Sequence, residues 1–159
     1  MRGWKIIMGT LCAAVAVTPG PSSPAPTQEP LIVGNRRQLL FDDRFVQQAK
    51  GVEFRVHRPQ GGEFTTPRLR FEGEHLLLNV DTSACGELRV EIVGEQGQPV
   101  PGRALDDCDI IHTANEINRV VRWKGESAVE HLAGKIVRLR FVLRDADIYA
   151  FQFAPRGGI

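Results

Sequence analysis

The sequence contains few aromatic residues and almost no net charge. Aromatic side chains make up 7% of the 159 residues, with a single tyrosine and two tryptophans. Twenty lysines and arginines against nineteen aspartates and glutamates give a formal net charge of +1. Such a chain has no overall positive field to attract nucleic acid or an anionic membrane. We therefore expect no nucleic-acid partner.

The sequence also lacks an apolar run long enough to span a membrane. The run at residues 6–17 has twelve residues, whereas a spanning helix needs ~20. Arg2 and Lys5 precede this run and small residues follow it, which is the pattern of a signal peptide. We assign residues 1–25 to that peptide, with cleavage between Ala16 and Ala25. The sequence thus predicts a secreted or periplasmic protein with no membrane attachment after cleavage.

Cysteine is scarce, with three residues in the chain. Cys12 lies within the predicted signal peptide, and the remaining two, Cys85 and Cys108, are too few for a structural zinc site. Export favours pairing them in a disulfide, because the extracellular environment is oxidising. Strand positions on opposite edges of a sheet would instead keep them apart. The sequence leaves both arrangements open.

Helical periodicity is nearly absent after residue 60, and a period of two takes its place. From residue 137 to 143 every second residue is large and apolar, as in a half-buried strand. A polar break, Asp145-Ala146-Asp147, precedes a second alternation in which Tyr149, Phe151 and Phe153 share one face. We predict a β-hairpin over residues 135–153, with Tyr149 directed toward the core.

The same alternation recurs in residues 69–71, 76–80, 88–92 and 117–123, each bounded by turn residues. About seven short strands with almost no helix bury their apolar sides between two packed sheets or inside one closed sheet. We predict an all-β fold, an antiparallel β-sandwich of the jelly-roll type, over residues 61–155. A Pro-rich linker and a short irregular segment, residues 26–60, precede it.

Several short motifs carry a family resemblance. They are GGEFTTP at 61–67, LNVDTS at 78–83, DCD at 107–109, VRWKG at 121–125 and the segment 137–151. This ordered set resembles the C-terminal β-sandwich of secreted, planctomycete-type glycoside hydrolases, whose catalytic part is a five-bladed propeller related to invertase and levanase. The resemblance implies an accessory domain over residues 61–155.

A shorter stretch, LLFDDRFV at 39–46, is similar to the segment that leads into the propeller of the same proteins. In that family a long propeller separates the two matching regions, whereas here Gln60 is joined directly to Gly61. The resemblance therefore implies a truncated protein without the catalytic propeller. An internal deletion, a gene remnant or an assembly error would each give this arrangement.

Asp42 and Asp43 are the catalytic candidates that the resemblance supplies. Hydrolysis of a glycosidic bond takes two carboxyl groups ~5 to 9 Å apart, one protonated and one ionised. Either aspartate matches the propeller motif, but the acid that would act with it has no counterpart in this sequence. The alternative is that the pair caps a turn. We expect hydrolysis of glycosidic bonds only if a missing propeller is supplied.

Carbohydrate binding on a sandwich uses exposed aromatic rings, supported by carboxylates that accept hydrogen bonds from sugar hydroxyls. Our candidate ligand-binding cluster combines Trp123 with Asp81, Asp107 and Asp109 at the loops of one edge. Because Trp123 is in phase with Ile117 and Val121, a place in the core is the alternative.

Four aspartates in two loops, Asp106, Asp109, Asp145 and Asp147, supply the oxygen ligands that calcium prefers. Their alternative roles are solvated turn residues or acceptors for backbone amides. No cofactor other than calcium is indicated. The resemblance implies a non-catalytic β-sandwich module with a structural role or weak carbohydrate binding. Its partner would be a polysaccharide or a catalytic propeller domain, and a truncated glycosidase remnant without activity is the alternative.

Overall fold

The computed structural model describes residues 29–39, 47–50, 61–155 and 157. The predicted signal peptide at 1–25 lies outside the described residues, as do Asp42, Asp43 and Gln60 at the predicted join. Among the described residues, no helix is long and apolar enough to cross a membrane.

Strands dominate the described residues and form one mixed sheet. They are β1 (Leu31–Gly34), β2 (Gln38–Leu39), β3 (Gln48–Lys50), β4 (Gly62–Thr65), β5 (Leu69–Phe71), β6 (His75–Gly94), β7 (Asn115–Val120) and β8 (Ile136–Ala154). The helices in this part of the chain are two short 3-10 turns, Leu105–Asp107 and Glu130–Leu132. The predicted all-β class is confirmed.

Strand β8 is the centre of the sheet. Along one edge it pairs antiparallel with β6, from His75 opposite Ala154 to Gly94 opposite Val137. Its other edge pairs in turn with β5, β4 and β2. β7 lies on the far side of β6, β3 lies beside β4, and β1 runs parallel to β5.

The hairpin predicted for residues 135–153 is wrong, because these residues form one continuous strand. Asp145 does adopt a left-handed conformation, with φ of 45°. It produces a bulge instead of a turn, since Arg144 still pairs with Glu87 and Ala146 with Thr82. The partner of β8 is therefore the distant strand β6, and the polar break marks the place where both long strands change register.

Strand β8 turns back on itself. Leu69 pairs with Val137 near the start of β8, while the neighbouring ring of Phe71 stacks on Phe153 near its end, with centroids 3.7 Å apart. A straight strand would separate Val137 from Phe153 by about 53 Å, at ~3.3 Å per residue. The two halves of β8 therefore approach each other, and the bulge between them is where the register shifts.

Close backbone approach at this bulge requires glycine at position 86. A Cβ atom there would lie 2.8 Å from the backbone nitrogen of Ser83 and closer still to the carbonyl oxygen of Asp145. Both atoms belong to the backbone, so no side-chain rotation relieves the contact. Gly86 thus allows β6 and β8 to stay paired on either side of the bulge.

One apolar core lies under the sheet. In β8 it takes every second residue from Val137 to Leu143, as the alternation predicts, and then Phe151 and Phe153. Phe141 stacks on Phe64 of β4, with ring centroids 4.7 Å apart. This continuous burial supplies the main stabilisation of the fold, at ~25 cal/mol per Å² of apolar surface removed from water.

Strands from the region predicted as linker, residues 26–60, belong to the same sheet. β1, β2 and β3 pair with β5, β8 and β4, and the backbone N–H of Leu31 donates to the carbonyl of Arg68 at 2.7 Å. Val33 of β1 is buried in the core. The sheet therefore extends across the predicted boundary at residue 61.

Candidate functional site

Asp107 and Asp109 lie beside the turn that follows Trp123. The Asp107 carboxylate pairs with the ammonium of Lys124 at 2.5 Å, and the backbone N–H of Gly125 donates to Asp109 Oδ2 at 3.0 Å. The hydrogen bond from Lys124 lowers the pKa of Asp107. These carboxylates therefore hold a turn of the protein, and the acceptor role for a backbone amide considered above applies to Asp109.

Trp123 is buried, with 1% of its surface exposed. Its indole N–H donates to the carbonyl of Val90 at 2.9 Å, and the guanidinium of Arg103 lies over the ring at 5.3 Å from its centroid. A sugar needs an exposed ring face for stacking. Trp123 presents none, so the core alternative describes its position.

Asp81 lies elsewhere, so the predicted cluster is not assembled. It pairs with Asn115 of β7 and with Asp147 of β8. Asp107 and Asp109 flank Cys108, whose Sγ contacts Val90 at the other end of β6. The loop from 108 to 114 runs along β6 between these two places, because Ile111 bonds to Leu88 and Ala114 to Thr82.

The candidate calcium ligands do not converge. Asp106 and Asp109 belong to the loop beside Trp123, whereas Asp145 and Asp147 lie in β8. Within the described ranges, no three His, Cys, Asp or Glu side chains are close enough together to hold a metal ion. The calcium site proposed from the sequence is therefore not formed by these four side chains.

The disulfide between Cys85 and Cys108 is also not formed. Cys85 is exposed in the bulge of β6, while Cys108 is buried and its Sγ accepts a hydrogen bond from the backbone N–H of Val90 at 3.2 Å. Four residues of β6 separate Cys85 from Val90. Burial raises the pKa of the Cys108 thiol to about 11. The two cysteines do not pair because the loop that carries Cys108 lies against β6 at Val90, beyond the bulge that contains Cys85.

The structure instead brings polar side chains together around Tyr149. Asn115, Asp81 and Asp147 are register partners across β7, β6 and β8, so their side chains share one face of the sheet. Tyr149, two residues after Asp147, is 41% exposed. Partial burial raises the pKa of Tyr149, and the negative charges of Asp147 and Asp81 add to this effect. Tyr149 thus follows Asp147 along β8, and Asp147 has Asp81 as its register partner.

We call this surface the Tyr149 face, comprising Tyr149, Asp81, Asp147, Asn115 and Ile117. Ile117, two residues after Asn115, is 63% exposed, although the sequence pattern directed it inward. Tyr149 was likewise predicted to be buried. The exposure of Tyr149 follows from a second register shift between β6 and β8. Asn79 pairs with Ala150 and Val80 pairs with Ile148, so Tyr149 is an extra residue on β8.

Two clefts lie apart from the Tyr149 face. The larger, about 570 Å³, is lined by residues of the turn after β6 and of the start of β8, among them Arg70, Glu95, Gln98 and Lys135. The smaller, about 300 Å³, contains charged side chains on β3, β4, β6 and β8. Neither includes a residue of the ligand-binding cluster predicted from the sequence.

Comparison of this chain with known protein families, with curated proteins and with solved structures gives no significant match.

Proposed function

We propose that this chain is a non-catalytic β-sandwich module of an exported protein and that it binds polysaccharide through the Tyr149 face. The observation that carries the proposal is the 41% exposed side chain of Tyr149, two residues after Asp147, whose register partner is Asp81. An aromatic ring stacks on the C–H face of a sugar, while carboxylate oxygens accept hydrogen bonds from its hydroxyls. Both kinds of contact are available on one face of the sheet.

The sandwich part of the proposal rests on the fold of the long strands. Strand β5 contacts β8 near both ends, through Leu69 beside Val137 and through Phe71 on Phe153. Strand β6 follows β8 along nearly its whole length. Two halves of one bent sheet then face each other across a shared core, which is the layer arrangement of a sandwich. In a jelly-roll-like sandwich of this kind the outer face of each half remains open to a ligand.

A second candidate function is docking against another domain. The motifs resemble the C-terminal β-sandwich of certain glycoside hydrolases, so the catalytic propeller of such an enzyme is the partner we propose. The exposed Ile117, two residues after Asn115, favours it, because a large apolar side chain gains free energy when a partner covers it. The two candidates use the same face and differ in whether a soluble sugar chain occupies it.

Calorimetric titration of the full chain with fructan, xylan, pectin and a β-glucan tests the proposal. We expect saturable heat with at least one of them and a roughly tenfold weaker Kd in Tyr149→Ala, from the loss of stacking. Tyr149→Phe should retain most of the affinity. Ile110→Ala is the matched control, because Ile110 is 40% exposed and lies outside the Tyr149 face.

Binding that is unchanged in Tyr149→Ala would contradict the proposed site. If the folded protein binds none of these polysaccharides, polysaccharide binding is refuted for these ligands. Sedimentation of the protein with a purified propeller domain then tests docking, with Ile117→Asp expected to abolish a genuine complex.

A further inference from the structure

The smaller cleft lies on the face of the sheet opposite the core. Gln48, Thr65, Arg140 and Glu91 are successive register partners across β3, β4, β8 and β6, so these four side chains share that face. Lys50, Glu63 and Arg138 complete its charged lining, and its volume is about 300 Å³. We call it the arginine cleft.

Arg140 forms ion pairs with both carboxylates of the arginine cleft, those of Glu63 and Glu91. One terminal nitrogen of its guanidinium pairs with Glu63 at 2.6 Å and the other with Glu91 at 3.3 Å. The second oxygen of Glu91 accepts a hydrogen bond from the backbone N–H of Leu105 at 3.2 Å. Glu91 is buried, so its two oxygens already have protein partners.

Arg138 has no such partner. Its side chain makes no hydrogen bond and no ion pair with another described residue, and its buried Nε has no acceptor. A buried donor without an acceptor is costly, because it has lost water and gained nothing in return. With Lys50, Arg138 and Arg140 against Glu63 and Glu91, the lining carries 3 − 2 = +1 charge.

We infer that the arginine cleft binds an oxyanion group, with the guanidinium of Arg138 as its main contact. The planar guanidinium of arginine matches the paired oxygens of a carboxylate or a sulfate. Gln48 and Thr65 border the same cleft and supply neutral hydrogen-bonding groups for the rest of the ligand. A cleft of this size is at the lower limit of ligand sites, so one acidic sugar unit or a free inorganic anion fits it.

This inference is independent of the Tyr149 face, because the two sites share no residue. It specifies a charged ligand, whereas stacking on Tyr149 does not depend on charge. The ligand chemistry has two sources: the carboxylate of an acidic sugar, and inorganic sulfate or phosphate.

NMR titration of the full chain tests the inference, with the Nε–H signal of Arg138 followed during addition of galacturonate, galactose, sulfate and phosphate. We expect a saturable shift of that signal with galacturonate and none with galactose, and a weaker response at high salt. Saturation by sulfate or phosphate at lower concentration would assign the site to an inorganic anion and still support it. An unmoved Arg138 signal with all three anions would overturn the inference.

Two variants and one control sharpen the test. Arg138→Gln should weaken galacturonate binding at least tenfold, and Arg138→Lys should restore only part of it, because lysine keeps the charge and loses the planar geometry. Arg70→Gln removes an exposed arginine of β5 outside the cleft and should leave binding unchanged. Equal losses in Arg138→Gln and Arg70→Gln would indicate general charge attraction and refute a specific site.

Discussion

Replacing Gly86 with alanine should strongly destabilise the fold. The added Cβ would meet the backbone of Ser83 at 2.8 Å and that of Asp145 at a still shorter distance. Relief requires moving β6 away from β8 at the bulge, which strains the ladder on both sides. Overpacking of this kind costs 1 to 3 kcal/mol and each weakened backbone hydrogen bond about 1 kcal/mol more, so we expect a loss of about 3 kcal/mol.

Thermal and guanidinium unfolding followed by circular dichroism measure this loss. For a domain of this size 3 kcal/mol corresponds to a fall in Tm of about 10 °C. Gly94→Ala is the matched control in the same strand, because its nearest neighbours would be 3.6 and 3.9 Å from the new Cβ, which are ordinary contacts. We expect a change within about 0.5 kcal/mol there. If the two variants unfold alike, the close approach of β6 and β8 at the bulge is refuted.

Three further predictions concern individual side chains. Partial burial and two aspartates raise the pKa of Tyr149, so this pKa should fall in Asp81→Asn. Ultraviolet titration measures it directly, because the chain has a single tyrosine. An unchanged pKa would place Asp81 away from the phenol. Glu63→Gln should cost roughly 0.5 to 1 kcal/mol at neutral pH, a small value because Glu63 is 40% exposed. Arg140 lowers the folded-state pKa of Glu63 below its usual 4.5, so this stabilisation is present above pH 4.5 and is lost as the pH falls through the folded-state pKa; a difference from the wild type that persists in strong acid contradicts the ion pair. A thiol reagent at mildly alkaline pH should modify Cys85 in the native protein. The buried Cys108 thiol, with a pKa of about 11, should react only after unfolding. Labelling of the native protein that survives in Cys85→Ser and disappears in Cys108→Ser would refute the burial of Cys108.

Much of the fold follows from alternation in the sequence. Val137, Leu139, Phe141 and Leu143 are all buried, as a half-buried strand requires. Alternation does not reveal which strand a segment pairs with, and a polar break looks the same whether it makes a turn or a bulge. Asp145 therefore suggested a hairpin, although pairing with a strand far away in the sequence continues on both sides of it.

The candidate site was less predictable for the same reason. Asp81 was predicted to lie in an edge-loop cluster with Trp123, whereas strand register makes Asn115 and Asp147 its partners. A strict period of two predicts that Tyr149 is buried in the core. The side chain is exposed instead, because β8 has one extra residue at this position. The arginine cleft is invisible in the sequence, since Glu63, Glu91 and Arg138 become neighbours only through strand pairing.

The central ladder has a consequence for the rate of folding. Its pairs join residues between 43 positions apart, at Gly94 and Val137, and 79 positions apart, at His75 and Ala154. No short loop closes this ladder, so a long stretch of chain must lose its freedom before the first of these contacts forms. Proteins dominated by such non-local pairing fold in milliseconds to seconds, and we expect this chain to fold at that slow end of the range.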